Sequence, residues 1–333
     1  MQSRAEQFMR KQWQRLGPWH SVLIPLSWLF VLLSGSRRFA YQIGLFKSVS
    51  LSVPVIVVGN ITVGGTGKTP FVVWLAERLM EQGYKPAVIS RGYRGSAQST
   101  SPVFADSDPV IVGDEPVMIA RRGAWPVWIG QDRAESGKNL LQAHPECNVI
   151  ISDDGLQHYR LSRDIEIAVV DAGYGFGNGW RLPAGPLRES RTRLQSVDAV
   201  VWNGAANKSQ SFDMHLAGSV FRSVLNPAVT ARAQDFDKQK IVAIAGIGNP
   251  ERFFRQLDEL GLTFKEMPFA DHYAFQAKDL QSIKADVILM TEKDAVKCAA
   301  FAERNWWYLP VSAEVDESLA TLIVNKLRNL NGP

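Results

Sequence analysis

Val53-Pro-Val-Ile-Val-Val-Gly-Asn-Ile-Thr-Val-Gly-Gly-Thr-Gly-Lys-Thr-Pro70 decides how this chain folds. The β-branched run Val55 to Val58 predicts a buried strand, Gly64, Gly65 and Gly67 a turn, and Lys68 with Thr69 the opening of a helix. That order suits a phosphate-binding loop. Glycines let successive backbone N–H groups converge on a polyphosphate, the lysine reaches its β- and γ-phosphates, and the hydroxyl that follows ligates Mg²⁺. The strict pattern G-x-x-x-x-G-K-[ST] is not met, because Thr62 stands at the first glycine position; Gly64 and Gly65 supply the backbone freedom instead. Thr62, Val63, Gly64, Gly65, Thr66, Gly67, Lys68 and Thr69 are therefore the nucleotide-binding candidates.

Strand and helix signals alternate downstream, which predicts an α/β fold with a P-loop NTPase-like core sheet flanked by helices. Phe71 to Gln82 reads as a helix. Pro86 to Ser90, Val110 to Val112, Pro126 to Ile129, Asn148 to Ser152, Ile165 to Val170 and Ser196 to Trp202 read as strands. Ser96 to Ser107 reads as a Ser/Asp-rich loop. Around Met214 to Ala233 the pattern turns extended, and from Lys240 a second strand–helix alternation begins. The expected organisation is an N-terminal membrane-associated helix in 1–40 and a P-loop core in 50–212. An extended hinge in 213–235 then leads to a smaller C-terminal α/β unit in 236–333.

The net charge of +4 is a weak argument for nucleic-acid binding once it is located. Residues 1–40 carry six basic groups (Arg4, Arg10, Lys11, Arg15, Arg37, Arg38) and one acid (Glu6), which leaves the rest of the chain at −1. Between those charges lies an apolar run, Trp19 to Leu33, about as long as the shortest membrane spans. Tryptophans at 13, 19 and 28 suit an interfacial belt, and Arg37 and Arg38 suit lipid head groups. A membrane span, an in-plane helix and a buried core helix all fit this run; no small-residue cleavage site follows it. Cys147 and Cys298 stand far apart without metal-ligand spacing, which argues for a reducing compartment and against a disulfide framework.

Four further constellations carry chemistry. Asn148-Val-Ile-Ile-Ser-Asp-Asp-Gly155 delivers Asp153 and Asp154 from a buried strand, the shape of a Walker B element holding Mg²⁺, with Gln157 and His158 just beyond. Asp114 and Glu115 precede Pro116 at a helix start, where they serve as an acidic cap or as chemistry at a strand tip. Arg181, Arg188, Arg191 and Arg193 form a cluster suited to an anionic substrate or the transferring phosphoryl group. Arg91-Gly-Tyr-Arg-Gly95 is either a phosphate-facing loop or a solvated turn. His272, flanked by Asp271 and Tyr273, is a further candidate. Together with the phosphate loop these predict phosphoryl transfer to a lipid-associated acceptor, with a carboxylate or a His–Asp pair receiving the acceptor's proton.

Thr62-Val-Gly-Gly-Thr-Gly-Lys-Thr-Pro70, Gly113-Asp-Glu-Pro116, Asp153-Asp-Gly-Leu-Gln-His158, Arg181-Leu-Pro-Ala-Gly-Pro-Leu-Arg-Glu189, Gly248-Asn-Pro250, Asp271-His-Tyr273 and Thr291-Glu-Lys-Asp294, in that order, resemble the tetraacyldisaccharide 4′-kinase family of lipid A biosynthesis. The resemblance implies ATP and Mg²⁺, a tetraacyldisaccharide 1-phosphate acceptor phosphorylated at its 4′-hydroxyl, and the cytoplasmic face of a Gram-negative inner membrane. It makes Asp114 the base, paired with His272 and with Glu115 nearby, and places Lys68 on the β/γ-phosphates. Thr69 with Asp153 or Asp154 would hold Mg²⁺, and Gln157 and Arg188 would be active-site partners. The other reading, a membrane-targeted regulatory P-loop ATPase, expects a lysine where this chain has Val63.

Overall fold

The computed structural model describes residues 13–14, 17–92, 95–97, 99–204 and 211–330. Arg4, Arg10, Lys11, Arg15, Tyr93 and Arg94, weighed above, lie outside the described residues.

Helix α1 (His20–Gln42) precedes β1 (Val55–Gly59), α2 (Lys68–Glu81), β2 (Pro86–Ser90) and β3 (Ser101–Val103). Then come α3 (Pro109–Val112), α4 (Asp114–Arg122), β4 (Val127–Ile129), α5 (Arg133–Ala143), β5 (Val149–Asp153), β6 (Ile165–Asp171) and β7 (Ala199–Asn203). The chain continues through β8 (Phe212–Ala217), β9 (Val220–Ser223), β10 (Thr230–Arg232), β11 (Ile241–Ala245), α6 (Pro250–Glu259) and β12 (Phe264–Pro268). It ends with α7 (Ala277–Gln281), β13 (Val287–Thr291), α8 (Glu292–Cys298), β14 (Trp306–Leu309), β15 (Ser312–Val315) and α9 (Glu317–Leu330).

Among the described residues these strands form two sheets. The first runs β15-β8-β7-β6-β1-β5-β2-β4-β3, parallel from β8 to β4 with an antiparallel strand at each edge. The second runs β10-β9-β14-β13-β11-β12, parallel from β14 to β12. A parallel strand covered on both faces needs apolar side chains on both, and β1 is buried at every position. Ile56 and Val58 join a core with Phe71, Leu75 and Leu79 of α2, whereas Val55 and Val57 face Ala134 and Leu140 of α5. Placed centrally, β1 brings its C-terminal end, and the loop that follows, between the ends of β5 and β6.

Three expectations differ from this architecture. Val110 to Val112, three β-branched residues, lie in α3 rather than a strand, because the Asp108 carboxylate caps Val110 N–H and Pro109 opens the turn. The Ser96 to Ser107 loop contains the short edge strand β3. The smaller unit does not run on to residue 333. β8 belongs to the first sheet and β9 to the second, so the chain crosses between units at Gly218–Ser219 and returns at Pro310–Val311. The returning segment has its own reason to leave. Ala313 and Val315 of β15 and Leu319, Ile323, Val324 and Leu327 of α9 bury against the α2 side of the first sheet. The two crossings touch; a Cβ at Gly218 would lie 2.4 Å from the Pro310 carbonyl oxygen, so only glycine fits there.

Candidate active site

Gly67 caps α2 in the left-handed conformation (φ +90°), and a Cβ there would lie 2.5 Å from Asn203 Nδ2. That amide donates to Thr66 O at 3.0 Å and thereby ties the loop to the end of β7. Asn60 Nδ2 makes long contacts, 3.4 Å, with Gly64 O and Thr66 Oγ1. Val63 N–H donates to Pro186 O, and Thr62 pairs with Leu187, so the loop is backed by the segment that carries Arg188. Thr62 is buried within this pairing, whereas Val63, Gly64, Gly65, Thr66, Gly67, Lys68 and Thr69 line a cleft of about 1470 Å³.

Asp153 and Asp154 arrive at the tip of β5, beside β1. Asp153 is buried; Ser90 Oγ donates to its Oδ2 at 3.4 Å, and its Oδ1 has no hydrogen-bond partner among the described residues. Burial, with Glu115 and Asp154 nearby, pushes its carboxyl up to about 7. Asp154 adopts φ +49°, a conformation rare without glycine, and turns its carboxylate toward Lys68 Nζ (3.4 Å) and Arg188 Nη1 (3.1 and 3.2 Å). Burial opposes ionisation there too, but Lys68 and Arg188 outweigh it and hold Asp154 below the usual carboxylate range. Gln157 Nε2 donates to Asn60 O at 3.0 Å and to Glu189 Oε1 at 2.7 Å. Gln157 and Arg188 therefore brace the loop from below.

A second group of side chains meets across the cleft. Asp114, 6% exposed, opens α4, and its Oδ2 lies 3.1 Å from His272 Nδ1, which comes from the loop after β12 in the other unit. His272 also adopts positive φ (+57°). Burial works against the Asp114 carboxylate, but Lys293 and the His272 hydrogen bond outweigh it and hold the group well below the usual carboxylate range. Lys293, from the first turn of α8, donates to Glu115 Oε1 at 2.9 Å and lies 3.2 Å from His272 Nε2. Glu115, His272 and Lys293 line the same cleft as the phosphate loop. Two more ion pairs join the units: Arg252 of α6 with Asp171 at the end of β6, and Arg122 of α4 with Glu292 of α8.

The arginine cluster is divided. Arg181 and Arg188 line the cleft, Arg193 is buried against Glu166 and Glu189, and Arg191 lies over the Phe176 ring. His158, just beyond Gln157, points away to Arg133 N–H, and burial beside the Arg133 guanidinium lowers it to about 4. Of the glycine-flanked basic run, Arg91 lines the cleft. Sequence reasoning quoted Lys293, Arg252 and Asp171 or their surroundings without assigning them a role. Their partners in the other unit lie 81 to 178 residues away, and no local spacing signals such pairings.

Helix α1 forms the rim. Leu26, Trp28, Leu29, Leu32 and Leu33 are exposed, and the helix is long and apolar enough to cross a membrane by length and composition. Its polar face is stitched to the segment that carries Arg181. Buried Ser27 Oγ donates to Arg181 O (2.8 Å) and accepts from Ala184 N–H (3.0 Å). Asn178 Nδ2 contacts His20 Nε2 at 3.0 Å. Trp13 Nε1–H donates to Pro183 O, and Arg38 reaches Glu189 at 3.8 Å. Phe30, Leu33, Arg37 and Arg38 of this helix line the cleft.

Among the described residues no group of three or more His, Cys, Asp or Glu side chains is arranged to hold a metal. The unpartnered Oδ1 of Asp153, at the tip of the strand next to β1, suits a cation whose remaining ligands are phosphate and water, the habit of Mg²⁺.

Comparison with known proteins agrees with this geometry. The profile of the LpxK family, tetraacyldisaccharide-1-P 4′-kinase, matches residues 19–328. The tetraacyldisaccharide 4′-kinase of Methylobacillus flagellatus is 50% identical over 97% of this chain and 96% of its own length. That of Dechloromonas aromatica is 48% identical over 96% and 97%. The crystal structure of LpxK from Aquifex aeolicus in complex with ATP superposes with a TM-score of 0.79 at 29% identity, covering 93% of this chain and 99% of that one. A phosphate loop and the histidine partner of Asp114 lining one cleft, on a chain matched over nearly its whole length, lead to one conclusion: this chain belongs to the tetraacyldisaccharide-1-phosphate 4′-kinase family.

Proposed function

We propose that this protein transfers the γ-phosphoryl group of ATP to the 4′-hydroxyl of a tetraacyldisaccharide 1-phosphate, a precursor of lipid A. The observation that carries the reading is one cleft lined by the phosphate loop, by His272, which lies 3.1 Å from Asp114, and by residues of the apolar helix α1. In such reactions positioning and charge stabilisation do most of the work.

Backbone N–H groups of Gly64 to Thr69 hold the triphosphate at the N-terminus of α2, and Lys68 leaves Asp154 for the β- and γ-oxygens. Thr69 and the carboxylates of β5 hold Mg²⁺, with Asp153 favoured as the direct ligand because Lys68 and Arg188 already engage Asp154. When bound, the ion neutralises charge on the phosphate oxygens and draws the raised Asp153 carboxyl back to its ionised form. Gln157 and Arg188 keep Asp154 and the loop in register. Asp114, oriented by His272 and with Glu115 beside it, receives the proton of the attacking hydroxyl.

Helix α1 associates with the cytoplasmic face of the inner membrane. Its apolar side meets acyl chains while its polar side stays seated on the 178–184 segment, so the acceptor enters the cleft from the bilayer. Opening of the second unit about the paired crossings would part His272 from Asp114 to admit the acceptor, and closing would restore their 3.1 Å contact.

The test is incubation with Mg-ATP and the tetraacyldisaccharide 1-phosphate, followed by proton–phosphorus correlation spectra of the product. A new phosphate on the 4′ carbon supports the reading. Phosphate on another position, or nucleotide hydrolysis without a lipid product, contradicts it.

A further inference from the structure

We propose that Lys293 is a positioning residue for the transfer step: its ammonium, reaching from the second unit to Glu115 and to His272 Nε2, fixes the imidazole against Asp114 with its proton on Nδ1. The proposal rests on the kinase reading above and deepens it.

Local structure does not explain this lysine. It stands in the first turn of α8 (Glu292–Cys298), where the helix dipole disfavours a cation, and the side chain is nearly buried, where an ammonium is costly unless paired. Its compensation comes from a different unit. Glu115 Oε1 is 2.9 Å away and Asp114 Oδ2 is 3.9 Å away, both in the first turn of α4 (Asp114–Arg122). Truncating one partner of such a buried set leaves the other charges uncompensated. The set therefore holds the two units together at the place where Asp114 and His272 meet.

The contact with His272 fixes a tautomer. An ammonium has only donors, so at 3.2 Å from Lys293 Nζ the Nε2 atom must accept. The ring proton then sits on Nδ1, 3.1 Å from Asp114 Oδ2, and donates to that carboxylate. Among the described residues, the charged groups within 4 Å of the ring nitrogens are Asp114 from α4, Asp271 from its own loop and Lys293 from α8. Without Lys293 the ring proton could sit on Nε2 instead, the nitrogen that lies 3.8 Å from the Asp271 carboxylate. A ring in that tautomer would no longer donate to Asp114 Oδ2 and would leave that carboxylate unoriented.

The test compares wild type with Lys293→Met. Nitrogen-15 spectra of histidine-labelled protein, with His272→Gln for assignment, report the ring; steady-state kinetics report the reaction. We expect the Nδ1–H tautomer in the wild type and a mixture with the Nε2–H tautomer in the variant. The variant should lose at least about 100-fold in kcat while KM for Mg-ATP moves by less than about threefold. A wild-type ring with its proton on Nε2, an unchanged ring in the variant, or a variant kcat within about threefold of wild type overturns the proposal. If Lys293→Met does not fold, Lys293→Met with Glu115→Gln removes the stranded charge, and the same two readouts decide. The ring measurement needs no acceptor, so it still judges Lys293 if the wild type fails to phosphorylate the lipid and the kinase reading itself falls.

Discussion

On the phosphate-loop side of the cleft, the groups that line it come from backbone and from residues at the tips of adjacent parallel strands: Gly64 to Thr69 after β1 and Asp154 just past the end of β5, with Asp153 buried beside it. On the opposite side they are side chains reaching between units, with Asp114 and His272 separated by 158 positions and Glu115 and Lys293 by 178. The first side is fixed by a continuous sheet with β1 buried throughout. The second exists only while two sheets, joined by the crossings at 218–219 and 310–311, stay in contact. On the proposed function, the donor is held on the side built from one continuous sheet, and the acceptor enters where the two units meet.

This contrast can be broken at either end. On the rigid side, Lys68→Ala should leave the melting temperature near that of the parent and reduce kcat by about 10³-fold or more, since one preorganised charge at the transferring group is removed. Turnover near the parent's would take the loop out of the reaction. Across the cleft, Arg252→Ala strands Asp171 and should lower kcat/KM for the lipid about tenfold, worth about 1.4 kcal/mol, with ATP binding unchanged. An equal effect on ATP binding would mean that the two sides are not separable.

A subtler difference is expected in acid. The folded-state pKa of Asp114 is depressed, so its stabilising contribution is fully present above the unfolded carboxyl value of about 3.9 and is lost as pH falls below it. Acid unfolding of Asp114→Asn, followed by tryptophan fluorescence, should therefore be less steep than the parent's from about pH 5 downward. An identical slope would show that the carboxylate is not held by Lys293 and His272. The smallest effect belongs to the rim. Ser27→Ala removes the bridge between α1 and the Arg181 segment, about 1 kcal/mol, and should raise KM for bilayer-embedded acceptor about fivefold without changing KM for ATP.

The same contrast explains what the sequence revealed. The strand, turn and helix of residues 53–70 and the acids of β5 are local patterns, and local spacing carries them. The stripe Leu319, Ile323, Val324 and Leu327 has helical spacing, but nothing in it names its partner, the core that these residues share with α2 and the first sheet. Val110 to Val112 misled because β-branched residues favour strands, while the Asp108–Pro109 cap beside them decides for a helical turn. Thr291-Glu-Lys-Asp294 and Asp271-His-Tyr273 were visible as motifs, yet nothing in their spacing says that Lys293 meets Glu115 or that His272 meets Asp114. Contacts between units are a property of the packed pair of sheets, so family resemblance could name His272 where residue patterns alone gave it little weight.

The most direct test of an acceptor half assembled from two units is a double-mutant cycle on kcat/KM with Asp114→Asn and His272→Ala. Each substitution alone should cost about 10²- to 10⁴-fold, the range of general acid–base groups. Because they act as one pair, the double variant should be little worse than either, a coupling of about 2 kcal/mol or more. Losses that add to within about 0.5 kcal/mol would show that the two residues act independently, and that the contact across the cleft has no part in the reaction.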